Sequence, residues 1–151
     1  VESFGAGGPQ VLHSTGERDF QALAARVSRP GYRLLPFVPD FGAALAAADL
    51  VLARAGGSVW EVAAARLPAI LVPYPFATAD HQTRNARFFE RAGGAVTVPE
   101  TELGRVPELV RSLLGDSARL QEMGAAMGRL ARPDAADEIA EELIALAAAG
   151  R

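Results

Sequence analysis

Two short stretches of this chain hold residue types that can do chemistry. The first is Arg54-Ala55-Gly56-Gly57-Ser58-Val59-Trp60-Glu61. An apolar run enters a Gly-Gly turn and a helix-like segment leaves it. Glycines let a backbone approach a ligand closely, and the free N–H groups at a helix start favour an anion such as a pyrophosphate. The competing reading is a tight turn with Ser58 as helix N-cap and Glu61, three residues on, as the acid of a capping box. Glu61 fits either role, because an acidic side chain also accepts hydrogen bonds from ribose hydroxyls in nucleotide sites. The local pattern alone leaves both readings open.

The second stretch runs from Pro73 to Asn85 and reads PYPFATADHQTRN. Prolines hold an extended loop, and Asp80, His81, Gln82 and Asn85 then fall on the first turns of a helix. Gln82 and Asn85 are three apart and share a face. Amide side chains both donate and accept, which suits sugar hydroxyls. The plainer alternative is Asp80 as an N-cap followed by a solvated helix start. His81 is a candidate base by residue type. It has no identifiable acidic partner, so it reads as a ligand contact or a surface residue.

These stretches need a scaffold, and the hydrophobic pattern supplies one. Strands are expected at 11–14, 32–37, 49–53, 69–73 and 95–98, the fourth apolar throughout as in a strand buried on both faces. Helices are expected at 19–27, 41–48 with Asp40 as N-cap, 58–66, 80–91, 102–114, 117–130 and 134–149. Strands alternating with helices across short Gly/Pro turns predict an α/β, Rossmann-like doubly wound parallel sheet with helices on both faces. In such folds ligands bind beyond the carboxyl ends of the strands. That rule selects Thr15-Gly16, Phe37-Val38, Arg54 to Ser58, and Tyr74 to Gln82.

Bulk composition narrows the function classes. The chain has 151 residues, which suits one domain, and a formal net charge of -3, which disfavours non-specific nucleic-acid binding. It has no cysteine, and its two histidines, His13 and His81, do not make a metal site. All of its basic residues are arginine. No run is long and apolar enough for a transmembrane helix. Val1 to Gln10 reads as a linker or as the truncated first helix of something longer, and 11–151 as the folded domain.

Taken together, the two stretches and the strand between them, ADLVLARAGGSVWEVAAARLPAILVPYPFATADHQTRNARFFERAGGAV, resemble the C-terminal half of the MurG family of bacterial glycosyltransferases. Upstream, VLHSTGERDF resembles the family's second C-domain strand with its Ser/Thr-Gly loop, and LLPFVPDFGAALAAADLV resembles the segment before its Ala-Asp strand. The likeness covers nearly the whole chain and weakens after Glu100. The family transfers N-acetylglucosamine from a UDP donor to lipid I, giving lipid II. It has the two-domain GT-B architecture, of which this chain would be the donor-binding half.

The resemblance implies a role for each matching position. Glu61 would hold the ribose hydroxyls, and Phe37, Val38 and Phe41 would frame the uracil. Thr15 and Gly16 would lie beside the phosphates, and Gly57 and Ser58 would form the turn that cradles them, with Arg54 and Gly56 also among the UDP-sugar-binding residues. Gln82 and Asn85 would read the GlcNAc hydroxyls, with His81 beside them. The Gly loop is one residue shorter than the family's common Arg-x-Gly-x-x-Thr-x-x-Glu spacing, which leaves the phosphate-facing atom of Gly57 or Ser58 open.

By the same resemblance, no metal or cofactor is expected beyond the donor substrate UDP-GlcNAc. No catalytic residue is expected on this chain, because the family's acceptor loops, membrane-facing surface and general base belong to its N-terminal half. The lipid I acceptor would be met through that half, at the inner face of the plasma membrane. The family's first C-domain strand and Gly-rich turn are not visible either, so self-association through an exposed sheet edge is expected. A UDP-sugar-binding subunit, or a non-catalytic module that pairs with a separate acceptor domain, is the alternative.

Overall fold

The computed structural model describes residues 8–27 and 29–149. The expected linker or truncated helix at Val1–Gln10 lies, as far as Gly7, outside the described residues. Strand β4 (Ala69–Leu71) is the centre of the architecture, and its three residues are fully buried. It pairs in parallel with β3 (Val51–Ala53) on one side and β5 (Ala95–Thr97) on the other. Successive side chains of a strand point to opposite faces, so this apolar run feeds two cores.

Ala69 and Leu71 join Leu45, Val59, Val62, Ala63, Ala86, Phe89 and Met127 on one side. These come from α2 (Phe41–Ala46), α3 (Val59–Ala64), α4 (His81–Arg91) and α6 (Ser117–Leu130). Ile70 and Val72 join Val98, Val106, Leu113 and Met123 on the other, where α5 (Val106–Leu114) packs beside α6. Helices on both faces follow directly from a strand with no polar side.

The remaining strands, β1 (Val11–Ser14) and β2 (Tyr32–Leu35), form a separate parallel pair joined by α1 (Glu17–Ala24). The single sheet expected from the sequence is therefore two, ordered β1-β2 and β3-β4-β5. Among the described residues no strand bridges them. One consequence is visible in the burial pattern: no described residue between 8 and 44 is buried, and Leu45 is the first that is. The final helix, α7 (Ala135–Ala149), is likewise without buried residues and exposes Ile139, Leu143, Ile144 and Leu146.

Helix starts differ from expectation in several places, α1 among them, which begins at Glu17 rather than at 19. Asp40 caps α2 as expected, its carboxylate accepting from Ala43 N–H at 2.8 Å. Ser58 does not cap α3, and no capping box forms. Its backbone is already helical (φ -61°, ψ -13°), because the winding begins at the two glycines, with Val59 N–H donating to Gly56 O and Trp60 N–H to Gly57 O. Asp80 does not cap α4 with its side chain either. A short 3-10 turn at Thr78–Asp80 precedes the helix, and Ala79 and Asp80 are both left-handed, with φ 51° and 54°. The helix expected from Glu102 begins at Val106, after a 3-10 stretch from Glu100 to Arg105.

Candidate functional site

The loops singled out in the sequence leave strand carboxyl ends, and Glu61, Gln82 and Asn85 lie in the helices that follow them. Thr15 and Gly16 leave β1, with Gly16 at φ 75°, a conformation in which an L side chain is strained. Thr15 is fixed against the neighbouring strand, its N–H donating to Leu35 O at 3.0 Å. Phe37, Val38 and Phe41 follow β2, and Phe37 is 68% exposed. Arg54 to Ser58 leave β3, and Tyr74 to His81 leave β4.

Gly56 and Gly57 carry a specific message. Neither has a positive φ, and a Cβ added to either would meet nothing within 4 Å. The fold itself therefore does not demand glycine at these positions. What two adjacent glycines do provide is bare backbone on an open surface, where another molecule can approach closely. The turn uses the Val59 and Trp60 N–H groups internally. Donors for a ligand anion are therefore to be sought at Gly56, Gly57 and Ser58 rather than further into α3. Glu61 is exposed on the next turn.

The two amides of α4 are each held by the backbone of a loop, and the partners fix which way each amide points. Tyr74 N–H donates to Gln82 Oε1 at 2.9 Å, so Gln82 keeps its NH₂ group for an outside acceptor. Asn85 does the reverse. Its Nδ2 donates to Ala55 O at 3.1 Å, which leaves Oδ1 as an acceptor. An N–H cannot accept and a carbonyl cannot donate, so these orientations are set by chemistry rather than by choice. Side by side on one helix face, the pair offers one donor group and one acceptor, a match for neighbouring hydroxyls.

Arg54 spans three strand ends. Its Nη1 donates to Val72 O (3.4 Å) and Pro73 O (3.3 Å) beyond β4, and to Glu100 Oε2 (3.0 Å) beyond β5. Its guanidinium lies 5.5 Å from the centre of the Tyr74 ring, which in turn meets the Phe76 ring edge-on. His81 Nδ1 donates to Thr78 O at 2.8 Å, since a carbonyl only accepts, leaving Nε2 as the acceptor of the neutral ring. Its described partner is a carbonyl and not a carboxylate, so no His–acid dyad is present at this residue.

The site residues fall into two groups. Arg54, the Gly56–Gly57 turn, Gln82 and Asn85 are linked through the contacts just given. Thr15, Gly16, Phe37, Val38 and Phe41 belong to the β1-β2 side, and no described hydrogen bond joins them to the first group. Glu100 takes part in the linked group although its sequence context did not single it out, whereas Tyr74 lies in a loop the strand-end rule selected. The strand-end rule, extended to the residues after β5, is the signal that would have found Glu100.

Below β1, the His13 ring contacts the Tyr32 hydroxyl at 2.6 Å, and burial lowers the His13 pKa and raises that of Tyr32. No group of three or more potential metal ligands occurs among the described residues. An open depression of about 530 Å³ lined by Asp49, Arg66, Pro68 and Gln121 lies at the opposite, amino ends of β3 and β4. It gathers no convergent donors and acceptors comparable to those above.

Parallel strands, helices on both faces and polar, glycine-bearing loops at the strand carboxyl ends define a Rossmann-like domain. It matches the crystal structure of Acinetobacter baumannii MurG with a TM-score of 0.78 and 32% identity, covering 89% of this chain and 41% of that one. The fold is that of one half of a GT-B glycosyltransferase. Residues 5–139 match the family model described as the glycosyltransferase family 28 C-terminal domain, and the chain belongs to that family.

Its relatives include a protein of Halorhodospira halophila, 44% identical over 146 residues, covering 93% of this chain and 41% of the relative. Another, from Syntrophus aciditrophicus, is 37% identical, covering 91% of this chain and 39% of the relative. Both are named UDP-N-acetylglucosamine--N-acetylmuramyl-(pentapeptide) pyrophosphoryl-undecaprenol N-acetylglucosamine transferase. The chain thus spans about two fifths of the length of these relatives.

Proposed function

We propose that this chain binds UDP-GlcNAc as the donor half of an inverting glycosyltransferase that, as a longer protein, transfers GlcNAc to lipid I in peptidoglycan synthesis. The observation that carries this reading is the hydrogen bond from Asn85 to Ala55. It ties the amide pair to the bare Gly56–Gly57 turn, so sugar-reading and anion-cradling groups form one site. The N–H groups of Gly56 to Ser58 meet the diphosphate, and Glu61 accepts from the ribose hydroxyls. Phe37, Val38 and Phe41 frame the base, while Thr15 and Gly16 flank the phosphates. Gln82 donates to one sugar hydroxyl and Asn85 accepts from another, with His81 beside them.

In the transfer step an acceptor oxygen attacks the anomeric carbon, the bond from that carbon to the diphosphate breaks, and the electron pair leaves with UDP. The acceptor's proton goes to a base outside this chain. What these residues contribute is stabilisation of the leaving diphosphate and orientation of the sugar. The chain alone therefore binds donor without transferring it. In the full-length protein, acceptor contact and attachment to the inner membrane face belong to the partner domain. No helix among the described residues is long and apolar enough to cross a membrane. Among the described residues β1 and β3 each have an edge with no strand partner, which favours self-association of the isolated chain.

Calorimetric titration with UDP-GlcNAc, UDP-GalNAc and UDP tests the reading. Binding of UDP-GlcNAc that Glu61→Ala weakens about tenfold, roughly the loss of one charge-assisted hydrogen bond, is the expected result. Absence of binding by all three at millimolar concentration would sink it.

A further inference from the structure

We infer that Glu100 is a positioning residue of this site, acting through Arg54 and Tyr74 on the orientation of Gln82. The inference rests on the donor-site reading above and adds a residue to which neither the sequence pattern nor the resemblance gave a role.

The chain of contacts is short. Glu100 stands just beyond β5 and takes Arg54 Nη1 at 3.0 Å. Arg54 leaves β3, so this ion pair closes a bracket over the intervening β4 end. Within the bracket lie the two carbonyls that Nη1 also reaches, those of Val72 and Pro73, and the Tyr74 ring under the guanidinium. The next backbone group along is the Tyr74 N–H, which donates to Gln82 Oε1. That bond is what turns the Gln82 NH₂ group away from the loop and toward a ligand. Without it the Gln82 amide can rotate freely, and the site loses its fixed donor beside the Asn85 acceptor.

Arginine suits this place and lysine does not. A planar guanidinium can stack on an aromatic ring while its N–H groups reach acceptors at its edge, whereas an ammonium is a point charge without a stacking face. The Arg54 and Glu100 side chains are 46% and 39% exposed, so the ion pair adds little to folding stability. Its effect is on geometry, and it falls on the sugar end of the site. Asn85 is anchored independently to Ala55, and the Gly56–Gly57 turn is outside the bracket.

The test compares UDP-GlcNAc with UDP on the 151-residue chain by titration calorimetry, with far-ultraviolet circular dichroism and a thermal melt as fold controls. Glu100→Ala is expected to weaken UDP-GlcNAc binding about fivefold while changing UDP binding less than twofold. Glu100→Gln keeps an acceptor for Arg54 and is expected to restore the wild-type ratio. Glu100→Leu, which keeps bulk without an acceptor for Arg54, is expected to reproduce the selective loss, and it stands in if Glu100→Ala does not fold. Equal weakening of both ligands, or no change in either, would overturn the positioning role while leaving the donor site standing. Failure of the wild-type chain to bind either ligand would instead overturn the donor reading, and this inference with it.

Discussion

Replacing Asn85 isolates the contact that joins the two halves of the linked site. Its Nδ2 satisfies the carbonyl of Ala55, a residue with no exposed surface. In Asn85→Ala that acceptor loses its partner, at a cost of about 1–3 kcal/mol for a buried unsatisfied group. Alanine returns about 0.5 kcal/mol, since it is the better helix former and position 85 lies inside α4. The net loss is roughly 0.5–2.5 kcal/mol, a fall in Tm of about 1–10 °C for a chain of this length.

Asn85→Asp is the sharper perturbation. It is nearly isosteric, brings no gain in helix preference, and at neutral pH sets a carboxylate against a carbonyl oxygen. Asn85→Asp should therefore be less stable than Asn85→Ala at pH 7. The folded state favours the protonated acid, which can donate to Ala55 O, so the folded pKa lies above the unfolded value of about 3.9. A group shifted this way contributes its stability below the unfolded pKa and loses it as pH rises through the folded one. Measured against wild type at each pH by urea titration, the Asn85→Asp deficit should shrink as pH falls from 7 toward 4. A deficit that stays constant, or an Asn85→Asp protein as stable as wild type at pH 7, would refute the account of this contact.

Two further outcomes are expected away from the site. A Cβ on Gly124 would lie 2.5 Å from the Arg66 carbonyl oxygen, so Gly124→Ala should lower the urea midpoint by an amount corresponding to about 1–3 kcal/mol of overpacking. Gly104→Ala, which would meet nothing within 4 Å, should cause no comparable loss. The His13 ring has its pKa lowered by burial, so folding stability should decline as pH falls below about 6.5 and the unfolded chain protonates first. His13→Gln should flatten that part of the pH–stability curve, and a ring titration followed by NMR should give a midpoint below the ordinary histidine value.

Strand β4 was legible because an apolar run buried on both faces leaves a plain mark in sequence. The division of the sheet was not, because a periodicity argument finds strands without saying which of them are neighbours. Capping shows the same limit on a smaller scale. Asp40 and Ser58 are equally good N-cap types, yet Asp40 is extended (φ -112°, ψ 88°) while Ser58 has already entered a helical turn begun by the glycines ahead of it. The side chain's opportunity depends on a backbone angle that residue type does not reveal. At the site, Gln82 and Asn85 were recognisable as amides on one helix face. Which presents its nitrogen and which its oxygen is decided by Tyr74 and Ala55, from two different loops. Glu100 went unnoticed because its partner Arg54 is 46 positions away.

The absence of buried residues among those described between 8 and 44 has a bearing on how a ligand would be received. Gly16, Phe37 and Phe41 lie on that thinly packed stretch, while Arg54, Gln82 and Asn85 are braced on the dense core. A molecule that touches both sides would find one jaw set and would have to seat the other, spending part of its binding energy on doing so. Affinity then becomes adjustable from a distance. A substitution that stiffens β1, α1 or β2 would tighten binding without touching the ligand, and amide exchange in those strands would serve as a gauge of occupancy.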